Sequence, residues 1–403
     1  MKRKKRNIII LTVTLLVVAA IAAGWLFHRG VALNKEKERQ AEKAARAAEN
    51  RVLTTVFCAS DYQAEPGWPA PSESLTGIVK AVKADGKVPR NVIVCGDYTN
   101  EPGLYDYQLS PDESIAEIRQ IVQTEFPEVP QDDILFVQGN HDKLTDAISS
   151  SGLHEYDDYL VYVLNTESDF PWCQGKTSGS LSKVRESSEE LKDCLDRLIS
   201  NGETRPVFIA GHVPLHFTAR TSSRHNTGDN LYSSLIFNTV NEAAKDLDII
   251  YLTGHNHSKG WDCYLGGGSI FKAPGDSVLI PEFDENDVNS DTFTEEVLNF
   301  TYLNAGYTGY YMNCGLSELK DGSSDQYHAA DEMLTGTVFE IKPGEIIIYR
   351  YSEAGLHQLG SDGEADPYKG GIDAGLIEAK YYSKRTESPQ HIERKKKEKP
   401  EEL

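Results

Sequence analysis

The chain has 403 residues, which is enough for one large domain or two ordinary ones with a sizeable core. Hydrophobic residues make up 39% and charged residues 26%, as in ordinary globular proteins, but the formal net charge is -21 at pH 7. Residues 2–6 (KRKKR) are all basic, so the remainder is more acidic still and should repel nucleic acid. We therefore expect no nucleic-acid partner.

An uncharged apolar run of 20 residues, 8–27, follows a basic stub at residues 1–6. At about 1.5 Å per residue, a helix of this length matches the roughly 30 Å core of a bilayer. We predict a single transmembrane anchor over residues 7–28, with a cytoplasmic N-terminus and the body outside the cytoplasm, in contact with the membrane through this helix. A cleaved signal peptide is the alternative, because Ala20, Ala22 and their neighbours offer small side chains for cleavage.

The rest of the chain divides by composition into three parts. Residues 34–50 consist mainly of Ala, Glu, Lys and Arg without Gly or Pro, which predicts a helical stalk over 29–50. Residues 51–360 are predicted to form the folded domain. The charged, apolar-poor segment 361–403 is predicted to be disordered.

Within 51–360, short apolar runs alternate with amphipathic stretches. Strands are predicted near 52–60, 91–97, 133–140, 159–167, 206–212 and 247–255, and helices over 72–86, 110–126, 184–200 and 231–246. The segment 336–351 predicts a hairpin around Pro343 and Gly344. This alternation predicts an α/β layered fold, in which antiparallel additions to the sheet remain open.

Six cysteines would lie in an oxidising compartment if the body is outside the cytoplasm. Cys58 and Cys95 fall at the ends of apolar runs and are predicted to be small core residues. The sequence leaves disulfide pairing open.

Five polar signatures each follow the carboxyl end of a predicted strand. They are SDYQ (Asp61, Gln63), GDYTN (Asp97, Asn100), GNHD (Asn140, His141, Asp142), GHVPLH (His212, His216) and GHNH (His255, His257). Loops at this end of an open α/β sheet gather functional groups. Carboxylates, imidazoles and an amide that converge there suit a first-row metal ion such as Mn, Fe or Zn.

These signatures resemble the calcineurin-like metallophosphoesterase superfamily. That family reads D-x-H, then G-D-x-x-D/N, G-N-H-D/E, a histidine in G-H, and G-H-x-H. Four of the five signatures match in order over roughly residues 52–260. The resemblance implies a layered sandwich of central β-sheets flanked by helices, here preceded by the predicted transmembrane helix.

The resemblance also implies a site with two divalent metal ions. Asp97 would bridge the two metals. The remaining ligands would be Asp61, Gln63 and His257 for one metal, and Asn140, His212 and His255 for the other. A bridging hydroxide is then the expected nucleophile. His141 would stabilise the transferred phosphoryl group or protonate the leaving oxygen.

Other polar residues near the signatures have supporting or open roles. Asp142 is expected to support the loop that contains it. His216 is either a supporting contact or a core residue. Arg220 and Arg224 could bind a substrate phosphate, with an exposed loop as the alternative.

Two positions depart from the family pattern. Gln63 stands where the family has histidine, and an amide oxygen is a weaker zinc ligand than imidazole. We therefore expect weaker binding of that metal and a preference for Mn²⁺. Asn100 stands where some members have an aspartate that supports the catalytic histidine, so His141 lacks the carboxylate that would favour an acid role.

The sequence thus predicts an anchored metallophosphoesterase that hydrolyses a phosphomonoester or a phosphodiester outside the cytoplasm. The alternative is a catalytically weak metal- or ligand-binding protein that retains the fold, because a substituted ligand such as Gln63 can be the first mark of a decayed site. The oligomeric state stays open.

Overall fold

The computed structural model describes residues 50–63, 71–99, 109–142, 144–166, 178–215, 230–255, 271–282, 292–309, 334–352, 355–356 and 390–394, with positions 29, 31, 35–41, 43–44 and 47–48. The chain divides into two compact units, residues 1–51 and 52–403. In the first unit, the described positions between 29 and 48 are helical. The predicted anchor at 7–28 lies outside the described residues. Among those described, no helix is both long and apolar enough to cross a bilayer.

The second unit contains a first mixed sheet of eight strands. Along its main path the order is β15-β14-β13-β1-β2-β3, with β12 paired to β13 and β16 paired to β14. The bounds are β1 Thr54–Ala59, β2 Asn91–Cys95, β3 Ile134–Val137, β12 Gly306–Tyr307, β13 Thr335–Ile341, β14 Glu345–Ser352, β15 Gly355–Leu356 and β16 Gln390–Glu393. Strands β1, β2 and β3 are parallel, whereas β13 pairs antiparallel with β1, with Val56 opposite Phe339.

A second sheet of six strands has the order β4-β5-β6-β7-β11-β8. The bounds are β4 Gly152–Glu155, β5 Leu160–Val163, β6 Val207–Ala210, β7 Ile249–Thr253, β8 Phe271–Lys272 and β11 Thr301–Asn304. Strands β5, β6, β7 and β11 are parallel, and β4 and β8 are antiparallel additions at the two edges. A separate pair is formed by β9 (Ser277–Pro281) and β10 (Phe293–Val297).

Four α-helices are described, and they cover the outer faces of the sheets. In the second unit they are α1 Pro71–Ala84, α2 Pro111–Glu125, α3 Ser178–Ser200 and α4 Asn230–Ala243; a short 3-10 turn spans Gln131–Asp133. Helix α2 begins with a capping box, in which Ser110 and Glu113 bond each other's backbone N–H. Its buried residues repeat at helical spacing, so one stripe faces the sheet.

Side chains alternate along the central strands between two cores. In β1, Val56 and Cys58 point into the layer between the two sheets, whereas Phe57 and Ala59 face the layer under α1 and α2. In β6, Phe208 likewise lies between the sheets, and the side chains on the other face meet α3 and α4. Successive side chains of a strand point to opposite faces, so a strand that is buried on both faces contributes to two cores. The result is an α-β-β-α sandwich.

The strands and helices predicted within the described residues are present, with shifted ends. Helix α1 begins at Pro71 rather than 72, and α3 begins at 178 rather than 184. The hairpin around Pro343 and Gly344 is confirmed as β13–β14. The short strands β4, β8 and β12 carry too few residues to show a pattern in the sequence.

One part of the tail differs from the predicted disorder. Residues Gln390–Glu393 form β16, which pairs antiparallel with β14, and Ile392 packs against the core between the sheets. Arg394 donates to the backbone oxygens of Lys342 (3.1 Å) and Thr204 (2.7 Å). A single apolar residue among many charges gave no visible strand pattern. The rest of 361–403 lies outside the described residues.

The prediction that Cys58 and Cys95 are core residues is confirmed. Both are fully buried free thiols, and the described Cys194 is also free. Burial raises the pKa of the Cys58 thiol well above its ordinary value, so these residues act as small apolar groups.

Candidate metal centre

The carboxyl ends of the parallel strands in both sheets carry the predicted signatures. Asp61 follows β1, Asp97 follows β2, and His255 follows β7. In the described part of the chain, these are the non-glycine residues with a left-handed backbone, with φ of 53°, 59° and 65° respectively. Such conformations cost about 1–2 kcal/mol each and tend to persist where a function requires them.

Backbone bonds between neighbouring loops hold these conformations in place. Asp61 N donates to Gly96 O (2.9 Å), and Tyr62 N donates to Asp97 O (2.8 Å), so the loops after β1 and β2 run together. His255 N donates to Asp61 Oδ1 (2.9 Å), which joins the second sheet to the first. The three left-handed residues therefore belong to one connected loop cluster.

Asp142 is the main acceptor beneath this cluster. Its carboxylate accepts N–H bonds from Asp97 (2.8 Å), Tyr98 (2.8 Å) and Gly139 (2.9 Å). Burial, together with the charge of Asp97, raises the pKa of Asp142 to about 7. The N–H donors act in the opposite direction and lower this pKa. Such contacts are those of a residue that shapes the loops around a site.

Two glycines permit backbones to approach closely here. A Cβ at Gly139 would lie closer than 3.0 Å to the backbone N and Oδ1 of Asp97. At Gly96, where φ is +81°, a Cβ would lie 2.6 Å from His212 Nδ1. Only glycine avoids these overlaps, and at Gly96 it also adopts the left-handed backbone without strain.

Donor atoms from four loops converge above this scaffold. One ligand atom from each of Asp97, His212 and His255 lies within 4.8 Å of the others. Asn140 Oδ1 lies 2.9 Å from His212 Nε2 and 2.7 Å from His255 Nδ1. Asp97 Oδ2 lies 3.1 Å from His212 Nε2. Two carboxylate or amide oxygens and two ring nitrogens thus face a common point.

The contacts of His212 show why this arrangement suits a cation. Its Nδ1 lies 2.5 Å from the carbonyl oxygen of Cys95, which can only accept, so Nδ1 carries a proton. In the neutral ring, Nε2 then directs a lone pair at the oxygens of Asp97 and Asn140. That meeting of lone pairs is repulsive unless a proton or a metal ion lies between them. A ring N–H to a backbone carbonyl is also the usual support of a metal-ligating histidine.

The electrostatics of the buried site favour added positive charge. Burial raises the pKa of Asp61 to about 8. Burial acts to raise the pKa of Asp97 as well, but the charges of His212 and His141 outweigh it, and the pKa lies well below its ordinary value. Burial opposes protonation of His212, yet the Asp97 carboxylate raises its pKa to about 10. The site therefore retains a cation, and a divalent metal can replace the proton.

The donor set fits divalent metals of the first transition row. Carboxylate, imidazole and amide donors are the combination that Mn, Fe and Zn accept. Asn140 presents its oxygen to both imidazoles, while its Nδ2 is buried and has no hydrogen-bond partner among the described residues. An amide that orients only its oxygen towards the other proposed ligand atoms is arranged as a metal ligand.

Comparison with known families decides the assignment. The family model described as calcineurin-like phosphoesterase matches residues 55–259, just over half of the chain. The chain belongs to the calcineurin-like phosphoesterase family. This confirms the resemblance seen in the sequence signatures, and with it a dimetal-dependent phosphoester hydrolase in general terms.

Two solved structures are similar to this phosphoesterase at low identity. A dimetal phosphatase from Danio rerio is 10% identical, with a TM-score of 0.41 over 76% of this chain and 98% of that one. A predicted phosphoesterase from Streptococcus pneumoniae TIGR4 is 13% identical, with a TM-score of 0.26 over 75% and 92%. With TM-scores below 0.5, neither likeness adds to the family assignment. A search of curated proteins finds no match.

The predicted site residues fall into two groups. The structure places Asp61, Gln63, Asp97, Asn140, His141, Asp142, His212 and His255 in the loops at the strand ends. Gln63 is buried, and His141 donates its backbone N–H to Asp97 Oδ1 (3.0 Å). The other predicted residues, Asn100, His216, Arg220, Arg224 and His257, lie outside the described residues.

Sequence reasoning missed two asparagines at the ends of strands in the second sheet. Asn165, after β5, accepts from Gln138 N (2.9 Å) and so holds the loop that contains Asn140. Asn304, at the end of β11, donates to Gly254 O (2.9 Å) beside His255. Both directly follow apolar runs, YLVYVL and TYL, as the signatures do, but each is a lone asparagine rather than part of a polar cluster.

Proposed function

We propose that this phosphoesterase hydrolyses a phosphomonoester or a phosphodiester with two divalent metal ions. The ions would be held by Asp61, Gln63, Asp97, Asn140, His212, His255 and His257. The observation that carries the proposal is the buried meeting of Asp97, Asn140 and His212 donor atoms, whose lone pairs repel one another unless a proton or a metal ion lies between them. Metal ions bound here supply a nucleophile at neutral pH and stabilise charge on the phosphoryl oxygens.

The residues of the chain contribute position and charge to this reaction. The Cys95 carbonyl keeps His212 in the tautomer whose Nε2 faces the centre. Asp142 fixes the backbone on both sides of Asp97. Preorganised groups of this kind cost no reorganisation when charge develops in the transition state.

His141 is our candidate for the residue that meets the phosphoryl group or the leaving oxygen. Its backbone N–H bonds Asp97 Oδ1, so it is anchored to the proposed metal ligands. General acid catalysis typically contributes 10²–10⁴-fold. If His141 is the acid, His141→Gln should remove the alkaline limb of the pH–rate profile. A profile with unchanged limbs would assign the proton transfer elsewhere.

The assay that tests the proposal compares full-length protein, purified in mild detergent and stripped of metal, with two variants. Hydrolysis of p-nitrophenyl phosphate and of bis-p-nitrophenyl phosphate is measured with Mn²⁺, Zn²⁺, Fe²⁺, Mg²⁺ or Ca²⁺ restored. We expect turnover only with added metal and a loss of at least about 100-fold in His255→Ala. The matched control is His154→Ala, on edge strand β4, which should keep wild-type turnover.

Each outcome of that assay has a distinct meaning. The preferred ester distinguishes a monoesterase from a diesterase. Metal binding without turnover on either ester would favour the alternative of a binding protein that retains the fold, which the substitution at Gln63 motivates. Turnover that does not need metal would contradict the proposal.

We also propose that the body lies outside the cytoplasm, anchored by residues 7–28. The support is the 20-residue uncharged run after KRKKR. Intact cells or spheroplasts should expose the body to added protease, and the full-length chain should sediment with membranes. Protection of the body from protease in intact spheroplasts would overturn this placement.

A further inference from the structure

Asn304 lies at the end of β11, beyond the region 55–259 that the family model matches. Its side chain is fully buried and bonded at both ends. Nδ2 donates to Gly254 O (2.9 Å), and Oδ1 accepts from Gly306 N (3.1 Å). The Gly306 contact fixes which end of the amide faces Gly254.

Asn304 and Asp61 together hold the peptide bond that precedes His255. The carbonyl of this peptide, from Gly254, accepts from Asn304, and its N–H, from His255, donates to Asp61 Oδ1 (2.9 Å). Because a peptide unit is planar, bonds at both ends fix its rotation. The rotation sets the left-handed backbone of His255 and so directs its Nδ1 to within 2.7 Å of Asn140 Oδ1.

Arg350 in turn holds Asn304 from the first sheet. This arginine on β14 is fully buried, and its Nη1 donates to Asn304 O (2.8 Å) and to Thr337 Oγ1. Thr337 donates onward to Ala305 O (2.8 Å), so both backbone oxygens at the end of β11 are tied to β13 and β14. Burial lowers the pKa of Arg350 to about 9, because a cation is costly in this core.

We propose that Asn304 is a positioning residue which, held by Arg350, sets the direction of the His255 imidazole at the metal centre. The inference rests on the proposed function in one respect, that His255 is a metal ligand. Asn304 acts through the Gly254–His255 peptide and has no role in the chemical step. It makes the strands after residue 259 part of the site.

The test is a calorimetric titration of full-length, metal-free protein with Mn²⁺. In Asn304→Ala, and in Asn304→Asp, which keeps the volume but cannot donate to Gly254 when ionised, one Mn²⁺ should bind about 10–100-fold more weakly. The second Mn²⁺ should bind as in wild type. Activity lost at low Mn²⁺ should return at saturating Mn²⁺, with the KM for p-nitrophenyl phosphate unchanged.

The matched control is Leu303→Ala, which opens a cavity in the core between the sheets one residue away. It should lower the melting temperature while both Mn²⁺ affinities stay at wild-type values. The proposal is overturned if both Asn304 variants bind both ions like wild type, or if Leu303→Ala weakens binding as much as they do. Wild-type protein that binds Mn²⁺ without turnover would contradict the proposed function alone, and one that binds no Mn²⁺ would overturn both.

Discussion

At the scale of single residues, the site depends on backbone conformations that most side chains avoid. Asp61, Asp97 and His255 are left-handed, and each is held by bonds from a neighbouring loop. The surrounding fold therefore stabilises a strained backbone conformation at three proposed ligands. Substitutions that remove the contacts holding these conformations should consequently weaken metal binding.

Gln63→His tests the effect of the one substituted ligand. Imidazole is a better zinc ligand than an amide oxygen, so the variant should bind Zn²⁺ at least about 10-fold more tightly, with a smaller change for Mn²⁺. Competition titrations with a chromogenic chelator measure both affinities. Equal gains for the two ions, or no gain at all, would remove the basis for the predicted Mn²⁺ preference.

Gly139→Ala tests the close approach of the GNHD loop to Asp97. The added Cβ would overlap the backbone N and Oδ1 of Asp97, so the loop must move or the carboxylate must turn away. We expect a loss of about 1–3 kcal/mol in unfolding free energy and weaker Mn²⁺ binding, measured by urea denaturation and calorimetry. Gly344→Ala, in the β13–β14 turn with nothing within 4 Å, is the control. Wild-type affinity in Gly139→Ala would show that the loop tolerates the methyl group.

At the scale of elements, prediction from sequence succeeded where periodicity was strong. Helix α2 displayed the proline and acids of its first turn and its apolar stripe in the sequence, and the central strands were continuous apolar runs. The order of strands within the two sheets is absent from such patterns, because it depends on pairing between distant segments such as β1 and β13. The loops that carry the proposed ligands were visible as signatures, whereas Asn165 and Asn304 were not, since a lone asparagine is common at a strand end.

The turn between α3 and β6 provides a prediction of pH dependence. Glu203 accepts from Arg205, with Nη2 to Oε2 at 2.7 Å, and this bond lowers the pKa of Glu203 to about 2. Because the folded pKa is depressed, the carboxylate stabilises the fold above pH 4.5, and this stability is lost as the pH falls towards 2. Glu203→Gln should cost about 1–2 kcal/mol at pH 7, after allowance for screening near the surface.

Urea denaturation of wild type and Glu203→Gln from pH 7 to pH 3 measures that difference. It should stay constant down to about pH 5 and shrink steadily below it. Lys192→Met removes an exposed helical ion pair with Asp196 and should show a much smaller effect. If the difference in unfolding free energy between wild type and Glu203→Gln is the same at pH 3 and pH 7, the charge of Glu203 does not contribute to stability.

At the scale of the whole molecule, the strands that follow the matched family region complete both sheets. Strand β13 lies between β1 and β14 in the first sheet, and β11 lies between β7 and β8 in the second. Their side chains fill the layer between the sheets, among them Leu303, Phe339, Ile341 and Ile348. The sheets that support the candidate metal centre therefore include strands that lie outside the region containing the sequence signatures.

A chain limited to residues 52–260 should consequently fail to fold, although it contains every signature. Each large side chain removed from the core lowers the free energy of unfolding by about 1.5–3 kcal/mol. The four named above already account for about 6–12 kcal/mol, against a typical net stability of roughly 5–15 kcal/mol. We expect no near-ultraviolet circular dichroism and no cooperative melting for 52–260. A chain of 52–394, which keeps every described strand through β16, should melt cooperatively and bind Mn²⁺. Cooperative melting of 52–260 would instead show that the first seven strands form an independent core. Because that shorter chain lacks Asn304 and Arg350, its Mn²⁺ affinity would then test the role that we assign to them.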